Sequence, residues 1–259
     1  MEITDLQEEF VNTFCCCLED WSDEMMEAGS HKAHWFQQMR DQGLRVKLAV
    51  EDGNACGMIQ YVPVELSMVH GEDLYFVLCV WVHGYKEGIG NRQKKGMGTA
   101  LLRAAETDVR EMGKKGIAVW GVSMPFWMKA SWFRNHGYRK VDKNGSAVLL
   151  WKSFTVNAQP PHWIREVRRP QPVAGKVTVS GFINGWCPAR NIVFERAKRA
   201  AQEFGDAVEF KEIYTNDRDV FLDWGISDGV FIDGKQVNSG PPPSYEKIRK
   251  KIAKRVRKL

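Results

Sequence analysis

The sequence predicts a mixed α/β protein in two parts, on three observations. Short β-rich runs alternate with helical periodicity in both halves of the 259 residues, a glycine-bearing loop joins the most apolar run to an amphipathic helix, and a proline-rich stretch breaks the pattern past the middle. A chain of this length accommodates two compact domains. Its 44% apolar and 27% charged residues exclude a disordered or fibrous protein.

Taken in order, the runs Leu44 to Val50, Gly57 to Val64, Leu74 to Val82, Gly116 to Val122 and Val148 to Phe154 read as strands, with helical patterns between several of them. Before Leu44, a helix is expected to include Phe14 to Trp21. Between Thr155 and Gly175 the periodicity stops at Pro160, Pro161, Pro170 and Pro172, the composition of a linker. Beyond it come strand-like Lys176 to Phe182, helix-like Pro188 to Phe204, strand-like Ala207 to Tyr214, a short helix near Asp219 to Trp224 and a hairpin across Asp233 and Gly234. The expected organisation is a first domain over 1–154, a linker over 155–175 and a second domain over 176–259.

The acidic start and the brevity of the Leu74 to Val82 run argue against a secretory signal and a membrane span, so the cytoplasm is expected. Six cysteines, three of them consecutive at Cys15, Cys16 and Cys17, lack the spacing of a disulfide framework, and reduced thiols are expected. The net charge of +5 is concentrated at one end: Pro243 to Leu259 holds eight Lys or Arg against one Glu, which is +7 and leaves −2 elsewhere. Tyr245, Ile248, Ile252, Val256 and Leu259 recur at helical steps, so this tail reads as an amphipathic helix with a solvated basic side. A nucleic-acid surface is the weaker alternative, because nothing else in the chain extends the basic footprint.

Leu74 to Val82 leads through a loop to Gln93-Lys94-Lys95-Gly96-Met97-Gly98, after which Leu101, Leu102, Ala105, Val109 and Met112 form one side of a helix that Gly113 ends. Glycines before a helix let backbone approach an anion, and the free N–H groups and dipole favour a phosphate there. By itself a Gly-x-Gly serves equally as a tight turn. Neither the P-loop nor the dinucleotide fingerprint is complete.

Gln93 to Gly98 resembles the Q/R-x-x-G-x-G/A acetyl-CoA loop of GNAT acetyltransferases, and Ala130-Ser131-Trp132-Phe133-Arg134-Asn135-His136-Gly137-Tyr138 is similar to that family's A-x-x-F-Y-x-x-x-G-F helix end. The resemblance spans about residues 44–154. It implies the GNAT acyl-CoA N-acyltransferase fold, with a mixed, splayed central sheet, and acetyl-CoA as co-substrate. It also implies that Gln93, Lys94, Lys95, Gly96, Met97, Gly98 and Thr99 hold the pyrophosphate, that Val80, Trp81 and Val82 run beside the pantetheine arm, and that Ser123 lies near the donor. A strand N–H would serve as oxyanion donor.

Transfer to an amine requires a neutral nitrogen, and an amine of pKa about 10.4 lacks it at pH 7 by roughly 4.6 kcal/mol. The central strand has no carboxylate in its interior, only Glu72, Asp73 and His83 at its ends. His83 is therefore the candidate base, against the alternative of a loop histidine. Where the family commonly places a Tyr that reprotonates the thiolate, this chain has Phe133, which leaves Tyr138, Tyr85 or Ser123 as candidate acids. Trp120, Phe126, Trp127, Trp132 and Phe133 are expected in the core and the wall of the cleft.

In the second part, Lys176 to Phe182 followed by Trp186-Cys187-Pro188-Ala189-Arg190 resembles the W-C-x-x-C turn of thioredoxin-like proteins. With the N-terminal cysteines it is similar to a GNAT subgroup carrying a YoaP-like C-terminal domain. A helix start activates a thiol, so Cys187 is a candidate reactive residue, but Arg190 replaces the second cysteine and precludes a dithiol cycle there. The leading reading is an N-acetyltransferase acting on a small-molecule or peptide amine by direct transfer, without membrane or nucleic-acid partners and with a homodimer left open. The rival is a thiol-handling or metal-sensing protein that uses Cys187 and the N-terminal cysteines, with the first domain as scaffold or CoA sensor.

Overall fold

The computed structural model describes residues 1–123, 127–237 and 240–259. Contacts divide them into two units, residues 1–21 with 36–164 and residues 22–35 with 165–259. In chain order the first unit holds β1 (Glu2–Asp5), α1 (Val11–Cys15), the end of α2 (Asp23–Met39), β2 (Arg45–Glu51), β3 (Asn54–Pro63), β4 (Val69–His70), β5 (Leu74–Val82), α3 (Met97–Glu111), β6 (Gly116–Val122), α4 (Ala130–Asn135), β7 (Arg139–Asn144), β8 (Ala147–Ser153) and β9 (His162–Trp163).

Seven of these strands form one sheet in the order β1-β2-β3-β5-β6-β8-β7. Every pair is antiparallel except the central β5–β6 pair, which is parallel. The two most apolar runs of the sequence are these central strands, as burial on both faces requires. The strands without a sequence signal, β1 and β7, lie at the edges, where most side chains meet water and no apolar alternation is imposed.

The helix expected over Phe14 to Trp21 does not form. α1 ends at Cys15, and Cys17 and Leu18 adopt φ values of 53° and 65°. Cysteine is a poor helix former, and the left-handed turn lets the buried Leu18 donate its N–H to the Thr13 carbonyl at 2.8 Å.

Helix α3 packs across β2, β3 and β5 through Met97, Leu101, Leu102, Ala105 and Val109. Met112 departs from the expected stripe and is exposed, because the helix stops at Glu111 and Gly113 turns the chain at φ 72°. The buried face also carries Asp108. It accepts two hydrogen bonds from Arg45, at 2.9 and 2.7 Å, and one from the Tyr61 hydroxyl at 2.6 Å, with Lys47 Nζ at 3.6 Å. Burial alone would push the Asp108 carboxyl up, but the hydrogen bonds from Arg45 and Tyr61 and the charge of Lys47 outweigh it and hold the carboxyl below its ordinary value.

The second unit comprises residues 23–35 of α2, β10 (Val177–Ile183), α5 (Pro188–Gln202), β11 (Val208–Tyr214), α6 (Arg218–Trp224), β12 (Gly229–Ile232), β13 (Lys235–Gln236) and α7 (Tyr245–Val256). Its sheet runs β11-β10-β12-β13, with β10 and β11 parallel and the other pairs antiparallel. Ile248 and Ile252 of α7 are fully buried against Val177, Val179 and Ala197, whereas Leu259 lies beyond the helix and is exposed. The α2 segment docks on α5 through polar contacts: Arg196 grips Glu24 at 2.9 and 2.5 Å, Arg199 reaches Glu27 at 2.6 Å, His31 meets Glu195 at 2.6 Å, and Asn191 donates to the Ala28 carbonyl. Among the described residues no helix is long and apolar enough to cross a membrane.

Removing one partner of a buried ionic network leaves the rest uncompensated. Asp108→Ala is expected to lower the unfolding free energy by about 3–5 kcal/mol in urea titration. Because the folded carboxyl titrates below its unfolded value, its stabilisation is full at neutral pH and fades as pH falls below about 4. The difference between wild type and Asp108→Asn is therefore expected to shrink in acid.

Candidate active site

The centre of the first unit is shaped by a failure of strand pairing. β5 and β6 pair only from Leu74–Gly116 to Val77–Val119. On its other side β5 matches Val77 to Tyr61 and Cys79 to Gln60, so Leu78 is an extra residue in the ladder. A bulge bends and twists its strand, and here it falls directly after the last β5–β6 pair. Beyond it the two strands part, and β5 backbone groups that would have met β6 need other partners.

Side chains supply them. Trp120 Nε1 donates to the Leu78 carbonyl at 2.8 Å and Trp127 Nε1 to the Val80 carbonyl at 3.2 Å. The Val80 N–H points at the Met128 thioether at 3.5 Å, a weak acceptor. Gln93 Nε2 donates to the Val82 carbonyl at 3.1 Å. The Met128–Ala130 backbone approaches β6 closely enough that a Cβ on Gly121 would meet it at 2.9 Å, so only glycine fits there.

A cleft of about 620 Å³ opens at this parting. Val80, Trp81 and Val82 form one wall; Trp127, Met128, Lys129, Trp132 and Phe133 form the other. Its end is closed by Arg92, Gln93, Lys94, Gly96, Met97, Gly98 and Thr99, where α3 begins. Gly96 is the N-cap in the left-handed region, φ 82°, and no side chain caps the helix, so the first-turn N–H groups face the cleft end. This arrangement suits an anion. Thr99 Oγ1 meets His136 Nε2 at 3.1 Å, and His136 Nδ1 meets the Trp132 carbonyl at 2.8 Å, which ties the loop end to α4.

Of the residues expected to hold the donor, Val80, Trp81, Val82, Gln93, Lys94, Gly96, Met97, Gly98 and Thr99 are thus gathered around one cleft. Lys95 and Ser123 are exposed and do not line it. The aromatic expectation divides: Trp120 is buried, Trp127, Trp132 and Phe133 line the cleft, and Phe126 lies outside the described residues. Sequence reasoning missed Arg92 and Met128. Arg92 is anchored to Glu51 at 2.8 Å, a pairing with no local sequence signal.

The candidate base and acids are placed differently. His83 is fully buried and does not line the cleft. Its Nδ1 meets the Gly90 carbonyl at 2.9 Å, and its Nε2 accepts from Trp21 Nε1 at 3.2 Å. A carbonyl can only accept and an indole N–H can only donate, so both ring nitrogens are committed. In this arrangement His83 pins the 84–92 loop instead of facing a substrate. Tyr138 is buried behind Phe133, with ring centroids 5.8 Å apart, and burial raises its phenol well above the ordinary value. Tyr85 lies on the exposed side of Trp81, with ring centroids 6.1 Å apart.

Cys187 belongs to the second unit, buried at the N-cap of α5 with Pro188 in the first helical position. Its carbonyl accepts from the N–H groups of Arg190 and Asn191. None of the six cysteines is in a disulfide. Among the described residues no group of three or more His, Cys, Asp or Glu side chains is arranged to hold a metal ion.

Comparison with known proteins gives one family and a set of solved structures. The profile of the acetyltransferase (GNAT) family matches residues 4–138, just over half of the chain. The PaiA N-acetyltransferase of Thermoplasma acidophilum, solved with coenzyme A, is 17% identical over 59% of this chain and 98% of its own, with a TM-score of 0.45. A GNAT family acetyltransferase of Brucella melitensis, solved with acetyl-CoA, is 17% identical over 61% of this chain and 90% of its own, with a TM-score of 0.43. The ribosomal-protein-alanine N-acetyltransferase of Brucella melitensis is 15% identical over 60% and 100%, with a TM-score of 0.44. No curated protein matches the sequence.

Loss of the His83 ring removes two hydrogen bonds that anchor the 84–92 loop. His83→Ala is expected to cost about 1–3 kcal/mol of stability and to speed proteolytic cleavage within that loop, read by mass spectrometry of limited digests.

Proposed function

The chain belongs to the acetyltransferase (GNAT) family, and from that premise we propose that the first unit transfers an acetyl group from acetyl-CoA to an amine in a ternary complex. The observation that carries this reading is the cleft between β5 and β6, which joins an uncapped helix start to exposed strand backbone. The pyrophosphate is assigned to the N–H groups of Met97, Gly98 and Thr99, with Gln93, Lys94 and Lys95 alongside. The pantetheine arm is assigned to Val80, Trp81 and Val82, in exchange for the contacts that Trp127 and Met128 now make. A fixed N–H in a low-dielectric cleft stabilises the developing oxyanion, and the Val80 N–H, now held only by a thioether, suits that task. With Phe133 in the cleft wall, no tyrosine hydroxyl lines the cleft among the described residues. A thiol of pKa about 8.5 leaves tolerably as thiolate.

We further infer that the second unit is a thioredoxin-like domain of the YoaP-like kind. The order β11-β10-β12-β13, with a parallel first pair and a helix starting at Cys187 directly after β10, supports this reading. Arg190 in place of a second cysteine favours a binding or presenting task for it over redox exchange. The acceptor is a small-molecule or peptide amine, and the expected setting is the cytoplasm, where acetyl-CoA is available and unbridged cysteines persist.

Calorimetric titration with acetyl-CoA and with CoA tests the first reading. Gly98 has no positive φ, and a Cβ there would meet Trp132 at 3.6 Å and Val82 at 3.9 Å, ordinary contacts, so Gly98→Glu introduces a carboxylate with little strain. It is expected to weaken both ligands by at least about tenfold, or 1.4 kcal/mol; undiminished binding would remove the pyrophosphate assignment. The Trp127 indole N–H resonance, identified by its disappearance in Trp127→Phe, is expected to shift when acetyl-CoA binds to wild type.

A further inference from the structure

The basic C-terminal helix has more built around it than a solvated face requires. Buried Ile232, Val237, Ile248 and Ile252 pack the β12–β13 hairpin and α7 into one apolar cluster of the second unit. Asp233 and Gly234, at φ 47° and 72°, make the two-residue turn that pairs Ile232 with Lys235. Lys251 Nζ donates to the Val237 carbonyl and ties the helix to the end of the hairpin. The hairpin and the second half of α7 thereby become the sides of a pocket of about 420 Å³, within the range of small-molecule sites.

Five cationic side chains line this pocket, and among the described residues no carboxylate does. Lys235 comes from the hairpin, while Lys251, Lys254, Arg255 and Lys258 fall at i, i+3, i+4 and i+7, one face of the helix and of the turn that ends it. Like charges at these spacings repel one another. Asp233 offsets them weakly: one of its oxygens stands 3.7 Å from Arg255, and the other accepts from the Thr178 N–H at 3.0 Å. The negative end of the helix dipole accounts for cations in the last turn. It does not account for Lys251, which lies earlier, or for Lys235, which arrives from another element. Elsewhere in the unit Lys198 pairs with Glu212, Lys211 with Glu209 and Arg249 with Glu203. Among the described residues Lys235, Lys254 and Lys258 have no such carboxylate.

We propose that this pocket binds a small oligophosphate, either free or as the phosphate chain of a nucleotide. The convergent cations call for a ligand that carries several negative charges in a short span, which linked phosphates supply. The lysines act as point charges, and the Arg255 guanidinium offers a planar fork to phosphate oxygens. Ile232 and Val237 beneath them are apolar, which lowers the local dielectric and strengthens the attraction. Two features favour a small anion over a nucleic-acid strand: the cations close around a concavity instead of extending along a track, and outside Pro243 to Leu259 the chain carries a net charge of −2. The site is independent of the acetyl-CoA reading of the first unit. It gives the second unit a ligand of its own. The sequence shows the basic stripe of α7, but the hairpin that turns the stripe into a pocket comes from a separate segment.

Calorimetric titration of the full chain with inorganic tripolyphosphate, in about 0.15 M salt to screen diffuse attraction, tests the proposal. Saturable binding of one anion per chain is expected. Lys235 and Lys254 are exposed, so Lys235→Gln and Lys254→Gln leave the fold intact, and each is expected to weaken binding by about tenfold. Lys250→Gln removes the same charge from α7 but lies outside the pocket lining, and it is expected to change affinity by less than about twofold. ATP carries the same chain on a nucleoside: binding at least as tight as tripolyphosphate points to a nucleotide, weaker binding to a free oligophosphate, and both uphold the site. Absence of saturable binding to wild type at about 1 mM, or a loss in Lys250→Gln equal to that in Lys254→Gln, overturns it. So does a single-stranded oligonucleotide of about 20 residues that binds more tightly than tripolyphosphate and is weakened equally by both α7 substitutions, the behaviour of an extended nucleic-acid surface.

Discussion

The first unit depends on a strand pairing that stops. Four residues of parallel ladder join β5 to β6, a bulge at Leu78 follows, and the strands diverge. A sheet paired throughout would spend its backbone groups on itself and leave no room between its central strands. Divergence frees those groups in the middle of a buried sheet, and the cleft, its aromatic wall and its polar end are all arranged around them. The indoles of Trp120 and Trp127 and the amide of Gln93 satisfy carbonyls that the missing ladder would have used. Such side-chain partners can be exchanged for a ligand in a way that a neighbouring strand cannot.

Around that opening the chain uses charge and ring contacts to fix what would otherwise be loose. Asp108 ties the C-terminal end of α3 to β2 and β3. His83 ties the 84–92 loop to Trp21 from the side. His83 looks chemical in the sequence, and it and Asp108 are both consumed by positioning. The reason is valence: a histidine between a carbonyl and an indole, or an aspartate between a guanidinium and a phenol, has no capacity left for a substrate.

The second unit shows a similar economy in its interface with the α2 segment. Glu24, Glu27 and His31 of that segment face Arg196, Arg199 and Glu195 of α5, and Asn191 bonds the α2 backbone. These pairs lie more than 160 residues apart in the chain, so no window of sequence contains both members. The stretch 22–35 accordingly groups with residues 165–259, although its composition does not distinguish it from the residues around it.

By itself the sequence determined the parts whose cause is local. The central strands announced themselves because burial on both faces demands unbroken apolar runs, as in Leu74–Val82 and Gly116–Val122. The glycine turn before α3 was legible because glycine readily takes the left-handed conformation that Gly96 adopts at the helix start, and the end of α3 because Gly113 permits a positive φ. Tertiary structure decided the rest. The edge strands β1 and β7 exist only because a neighbour offers hydrogen bonds, and the turn at Cys17 and Leu18 exists because burying Leu18 outweighs its helical alternative. The placements of His83 and Tyr138 follow from partners and burial that only the folded chain supplies, since the availability of a titratable group depends on what surrounds it and not on its place in the sequence.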